Sequence, residues 1–166
     1  TFAAIRRHGE KIQQAAPARM FEEIQRLFAF SSAKPAFHLL RESGLLAFVF
    51  PELERCLDEI APEDPLLWKH LAALDAGSFV LAEPTPALRF ATLYCELLHR
   101  QLPADAEPAA IEAVVRDVLH PLFERLPVPR RIQDRMRRMF VAQDRFRPTR
   151  GKRRFSKSRF VAQASF

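Results

Sequence analysis

Residues 16–53 read APARMFEEIQRLFAFSSAKPAFHLLRESGLLAFVFPEL, and this stretch decides the fold class. Pro17 suits the first turn of a helix, where a missing N–H costs nothing. Met20, Phe21, Ile24, Leu27 and Phe28 then recur on one helical face. Ser31 and Ser32 offer an N-cap for a second helix, with Pro35 in its first turn. Phe37, Leu40 and the neighbouring Leu39 are expected to form its apolar stripe, and Gly44 its left-handed stop. Leu45 to Phe50 is nearly all apolar, and Pro51 ends it.

Outward from this stretch the chain keeps reading as helix. No segment shows sustained two-residue alternation with β-branched content, so the expected fold is all-α. Phe2, Ile5 and Ile12 mark a first helix, and Glu52 to Ile60 a short one. Asp64-Pro65 opens a helix carrying Leu67, His70, Leu71 and Leu74 on one face, with Gly77 as its stop. Thr85-Pro86 opens the next, which is apolar nearly all round through Leu88, Phe90, Ala91, Leu93, Tyr94, Leu97 and Leu98. Such a helix belongs at the centre of a core. Leu102 to Pro108 reads as a loop. Ile111, Val114, Val115, Val118 and Leu119 form another amphipathic helix that Pro121 is expected to kink or end. Pro127-Val128-Pro129 is a rigid elbow.

After the elbow, Ile132, Met136, Met139 and Phe140 share one arc, and Arg130, Arg131, Arg135, Arg137 and Arg138 fall opposite. One face packs and the other presents guanidinium groups. The chain's formal +6 hides a split: residues 1–144 carry −2 and residues 145–166 carry +8. The tail supplies Arg145, Arg147, Arg150, Lys152, Arg153, Arg154, Lys157 and Arg159, interleaved with Phe146, Phe155 and Phe160. From Arg130 onward 13 basic residues stand against 2 acidic ones, a self-repulsion that an anionic partner would relieve. Phosphate backbone is the natural partner, because Arg forks onto phosphates and stacks on bases. A solvated charge run, with the three rings packed on the body, is the competing reading.

The order of words PARMFEE, LLRESGLL and FPEL resembles the neck-to-body region of the bacterial poly(A) polymerase and tRNA CCA-adding nucleotidyltransferase family. The form PARMFEE looks more like the poly(A) polymerase branch. LRFATLYCELLH at residues 88–99 is similar to the family's central body helix, LPVPRR at 126–131 to the lead into its last body helix, and GKRRFSKSRF at 151–160 to the polymerase tail. The resemblance implies a multi-helix, all-α body of the family's C-terminal type. It implies a neck at residues 1–60, a helical body at 61–146 and a basic RNA-binding tail at 147–166. It implies RNA as partner, as single-stranded 3′ ends or tRNA, together with the protein's own catalytic head. The family's catalytic head carries a Gly-Gly turn, an Arg-Asp pair and an Asp-x-Asp motif that binds magnesium; that pattern is not found in these residues. The expectation is therefore part of a longer enzyme. Mg2+ and ATP are expected in the head, and no catalytic residue, metal or cofactor in this portion. The parent would add AMP to RNA 3′ ends. A CCA-adding body and a helical protein-interaction domain with a basic tail are the alternatives.

Other chemistry finds little support. Cys56 and Cys95 have neither metal nor disulfide-framework spacing and read as buried thiols of a reducing cytoplasm. No apolar run approaches the roughly 20 residues that span a membrane. His8, His38, His70, His99 and His120 are dispersed, without ligand spacing. Some relatives carry an adjacent His-Asp of a metal phosphohydrolase; here Leu97-Leu98-His99-Arg100 puts a cation there. Glu22 with Glu23, and Glu52 with Glu54, read as solvated helix charge.

Overall fold

The computed structural model describes residues 2–60, 65–77, 84–102 and 106–144. Among the described residues the chain is helical throughout, with no strand. In order these are α1 (Phe2–His8), α2 (Pro17–Arg26), α3 (Ala33–Glu42), α4 (Leu46–Val49), α5 (Pro51–Asp58), α6 (Leu66–Asp75), α7 (Pro86–Gln101), α8 (Pro108–Arg125) and α9 (Arg130–Asp144). Short 3-10 turns at Gly9–Gln14 and Ala29–Ser31 link the first three.

The all-round apolar helix is central. α7 packs against α5, α6, α8 and α9, and buries Phe90, Ala91, Leu93, Tyr94, Leu97 and Leu98. Thr85 caps it: its Oγ1 accepts from the Leu88 N–H at 3.3 Å, and Pro86 sits where no N–H is needed. One apolar core runs from Ile24 of α2 to Phe140 of α9. Leucine is its commonest residue, and five phenylalanines fill it out with rings that carry no polar atom to satisfy in a dry interior. The Phe28 and Phe37 rings lie 5.3 Å apart, Phe37 and Phe50 6.2 Å, and Phe50 meets Tyr94 edge-on at 6.4 Å. The first segment behaves differently. α1 buries no residue, and Phe2 and Ile5 stay exposed. The helix tightens to 3-10 at Gly9, where a side chain would meet the Phe48 ring at 2.9 Å. That close approach is why a glycine stands there.

Three expectations from the sequence are corrected. No serine side chain caps α3. The cap is Asp75 at the end of α6, whose two carboxylate oxygens accept from the Ala33 and Lys34 N–H groups, each at 2.8 Å. The backbone at Phe30 and Ser31 turns left-handed (φ +57° and +53°), and Ser32 Oγ donates back to the Ala29 carbonyl instead. Leu39 is 54% exposed, so the buried stripe of α3 is Ala33 and Phe37. α8 runs through Pro121, whose ring lies on the exposed side, so only one backbone bond is forfeited. Pro51 ends the apolar run as expected and also opens α5. The stops at Gly44 and Gly77 are as expected, at φ +77° and +62°.

The Asp75 cap joins two helices 42 residues apart in sequence. Asp75→Ala is expected to lower stability by about 1–2 kcal/mol, or roughly 3–6 °C in melting midpoint for a chain of this size. Ser32→Ala should cost less than half of that in the same thermal scan. The reverse order would return the cap to the serine.

Candidate nucleic-acid interface

α9 is amphipathic as the spacing requires. Ile132, Met136 and Phe140 are buried against the body, with Met139 partly so, and Arg130, Arg131, Arg135 and Arg138 are exposed. The arginines do not form one uniform face. Arg130 and Arg137 turn toward α8, where they line a cleft of about 470 Å3 with Arg116, His120, Phe123 and Glu124. Gln133 and Asp134 complete the α9 wall. Arg131, Arg135 and Arg138 stand outside the cleft. Arg137 is the most engaged of the five: its guanidinium lies 5.3 Å over the Phe123 ring and 3.4 Å from Asp134. Arg138 donates to the Asp134 carbonyl at 3.3 Å. Residues Arg145, Arg147, Arg150, Lys152, Arg153, Arg154, Lys157 and Arg159, and the rings of Phe146, Phe155 and Phe160, lie outside the described residues.

What holds α9 in place was not legible in its own sequence. Arg125, the last residue of α8, donates from Nη2 to Glu52 Oε2 at 2.7 Å and from Nη1 to the Val49 carbonyl at 3.0 Å. The Tyr94 hydroxyl donates to the same Glu52 carboxylate. Glu52 is thus no solvated charge: its side chain is only 10% exposed. Burial, then the Glu52 charge, pushes the Tyr94 phenol well above its ordinary value, so it stays a donor. Burial alone would weaken the charge on Arg125; the hydrogen bond and charge of Glu52 outweigh it and hold that guanidinium above its usual range. This three-helix junction fixes the end of α8. Leu126 and Val128 then bury into the core, and Gln133 Nε2 donates to the Val128 carbonyl at 2.8 Å, tying the elbow to the first turn of α9.

The remaining candidates are structural. Glu54 is not free either, since it bonds Arg41 at 3.3 Å; burial raises its acid while Arg41 opposes. Glu96 is buried and accepts from the Leu67 N–H at 3.2 Å. Cys56 and Cys95 are free thiols that burial pushes above their ordinary value, which makes them poor nucleophiles. His99 is exposed in the last turn of α7. His120 lies 3.5 Å from Glu124. Among the described residues no group of three His, Cys, Asp or Glu side chains is placed to hold a metal ion, and no helix is long and apolar enough to cross a membrane.

His38 stacks on Trp68, the single tryptophan, with ring centroids 3.8 Å apart. Burial first, then Lys34 and Arg41, lowers the His38 pKa, with Glu42 opposing. The folded protein therefore binds this proton less readily than the unfolded chain. Its stabilising effect is complete above the ordinary histidine value of about 6.5 and is lost as the pH falls below it. Trp68 emission is expected to titrate with a midpoint below 6.5, and His38→Gln should abolish that titration. A midpoint at or above 6.5 would contradict the stacked, partly desolvated ring.

Comparison with known proteins finds matches at both ends of the chain. Residues 1–57 match the family model described as "Probable RNA and SrmB- binding site of polymerase A". Residues 104–166 match the model described as "Polymerase A arginine-rich C-terminus". The second match begins just before α8 and takes in the whole α8–α9 unit. The chain is also 30% identical over 134 residues to a multifunctional CCA protein of Thioalkalivibrio sulfidiphilus, an alignment covering 75% of this chain and 32% of that protein. The chain thus spans about a third of the length of that curated relative. No solved structure matches. With two polymerase models on its two ends and a CCA protein aligned along most of its length, the chain belongs to the poly(A) polymerase and tRNA CCA-adding nucleotidyltransferase family.

Proposed function

We propose that this chain is the C-terminal RNA-binding portion of a poly(A) polymerase-like nucleotidyltransferase whose whole protein adds AMP to RNA 3′ ends. The observation that carries the reading is the α9 surface: an apolar side locked into the core and exposed Arg130, Arg131, Arg135 and Arg138 on the other, within the arginine-rich match. These side chains grip phosphates, and the tail extends the grip. Residues 1–60 act as the neck, 61–146 as the body and 147–166 as the basic tail. The neck braces a catalytic head, and that head supplies the chemistry with ATP and magnesium.

A second reading is favoured by one observation. The relative from Thioalkalivibrio sulfidiphilus is a CCA protein, which makes a tRNA-holding body the alternative. The polymerase branch is preferred because PARMFEE and both matching models belong to it.

Fluorescence anisotropy of the full chain with labelled oligo(A) and with a tRNA, each across a salt series, tests both. The expected result is oligo(A) binding whose log affinity falls linearly with log salt. Binding of tRNA alone would select the CCA-adding body. No binding of either at low salt would remove the RNA-binding reading and leave a helical protein-interaction domain.

A further inference from the structure

The cleft between α8 and α9 contains more than the α9 arginines, and its electrostatics are unresolved within the chain. Arg130 and Arg131 occupy the first turn of α9, which holds no acidic residue. Unpaired N–H groups and the helix dipole already make that end positive, so cations there are unfavourable unless an anion joins them. Among the described residues Arg130 has no ion pair or side-chain hydrogen bond. Across the cleft, α8 presents Arg116 and His120 one turn apart. Their own partners are weak: Arg116 meets Asp117 at 3.3 Å and His120 meets Glu124 at 3.5 Å, with all four side chains more than half exposed. Glu124 and Asp134 also line the cleft, and Asp134 is taken up by Arg137. Two arginines on the two helices thus stay available to an anion, beside the Arg137–Phe123 contact that also lines the cleft.

We propose that this cleft seats the phosphodiester backbone of RNA, with Arg116 of α8 and Arg130 of α9 as the phosphate-binding side chains on its two walls. The proposal rests on the RNA-binding reading and deepens it: the RNA leaves the exposed flank of α9 at its first turn and runs between the helices. A phosphate there neutralises the positive end of α9 and displaces only exposed ion pairs. Arg137 already lies over the Phe123 ring, so the cleft is assigned to backbone phosphate and not to a stacked base.

The test is oligo(A) binding by the full chain carrying Arg116→Gln, Arg130→Gln or both, with Arg100→Gln as a control. Arg100 is an exposed cation of equal charge at the far end of α7, outside both family matches. Each cleft substitution is expected to weaken binding about fivefold near 0.1 M salt and to reduce the salt slope by about 0.7, while the control changes affinity less than about twofold. Unchanged melting midpoints will show that the fold is intact. If the double cleft variant binds like the control while Arg135→Gln/Arg138→Gln binds weakly, the cleft proposal falls and the RNA-binding reading stands. If the wild-type chain binds no RNA at low salt, both fall. If polyglutamate of matched charge competes as well as oligo(A), the cleft is a seat for an acidic protein segment and the proposal is overturned.

Discussion

Replacing Arg125 with methionine is expected to destabilise the protein by about 3–5 kcal/mol, because it leaves the buried Glu52 carboxylate without its cation. The loss would be a large share of the 5–15 kcal/mol typical of a domain. It corresponds to a fall on the order of 10 °C in melting midpoint. Glu52 would keep only the Tyr94 hydroxyl, and the Val49 carbonyl would lose its donor at 3.0 Å. The charge itself is not what the fold needs. Removing both partners, as Glu52→Leu with Arg125→Met, should recover a substantial part of the loss, since two well-packed apolar groups replace an ion pair whose desolvation is costly. A double-mutant cycle by thermal and urea unfolding checks this. A midpoint for Arg125→Met within about 2 °C of wild type would mean that solvent screens the pair despite its burial. Because the junction sets the end of α8 and the start of α9, the same variant should also weaken RNA binding while touching no RNA itself.

The second large effect is on binding. Exchanging Arg135, Arg138, Lys152, Arg153 and Arg154 together for alanine is expected to lower oligo(A) affinity on the order of a thousandfold near 0.1 M salt, at about 0.7 counterions per phosphate contact. The salt slope should fall by about 3.5. These five stand in a region of 13 basic and 2 acidic residues, so the loss reads out local contacts and not the charge of the whole chain. The Arg135→Ala/Arg138→Ala pair isolates the helix from the tail. It should account for about a 25-fold loss by the same arithmetic. Anisotropy across a salt series measures both. An unchanged slope in the five-site variant would show that neither the exposed flank of α9 nor these tail residues contact phosphate.

Much of this molecule follows from local rules. Proline at N1 or N2 begins α2, α5, α7 and α8, and glycine with positive φ follows α3 and α6. The all-round apolar pattern of α7 marks it as central, and the split of α9 into apolar and arginine faces marks the candidate interface from spacing alone. The misreadings share a cause. Ser32 and Asp75 both suit the start of α3, but only the packing of α6 against α3 brings Asp75 within 2.8 Å, and two charge-assisted bonds outcompete one serine. Glu52 sits among other charged residues on a short helix, where solvated charge is the ordinary outcome; Tyr94 and Arg125, 42 and 73 residues away, bury it. Arg116, His120 and Phe123 fall at i, i+4 and i+7 along α8, a spacing that marks one face. Nothing in that spacing says that the face opposes Arg130.

The sequence by itself determined the all-α class, most helix limits, the central helix and the basic end of the chain, because each is set by side-chain periodicity, proline and glycine stereochemistry, or summed charge. The tertiary structure alone decided which carboxylate caps α3, which ions are buried together beneath the elbow, and how the arginines of α9 divide between an open flank and a cleft. Those depend on distances between residues far apart in the chain, and the strength of a charge or a hydrogen bond is fixed by its neighbours in space and by how much water remains between them.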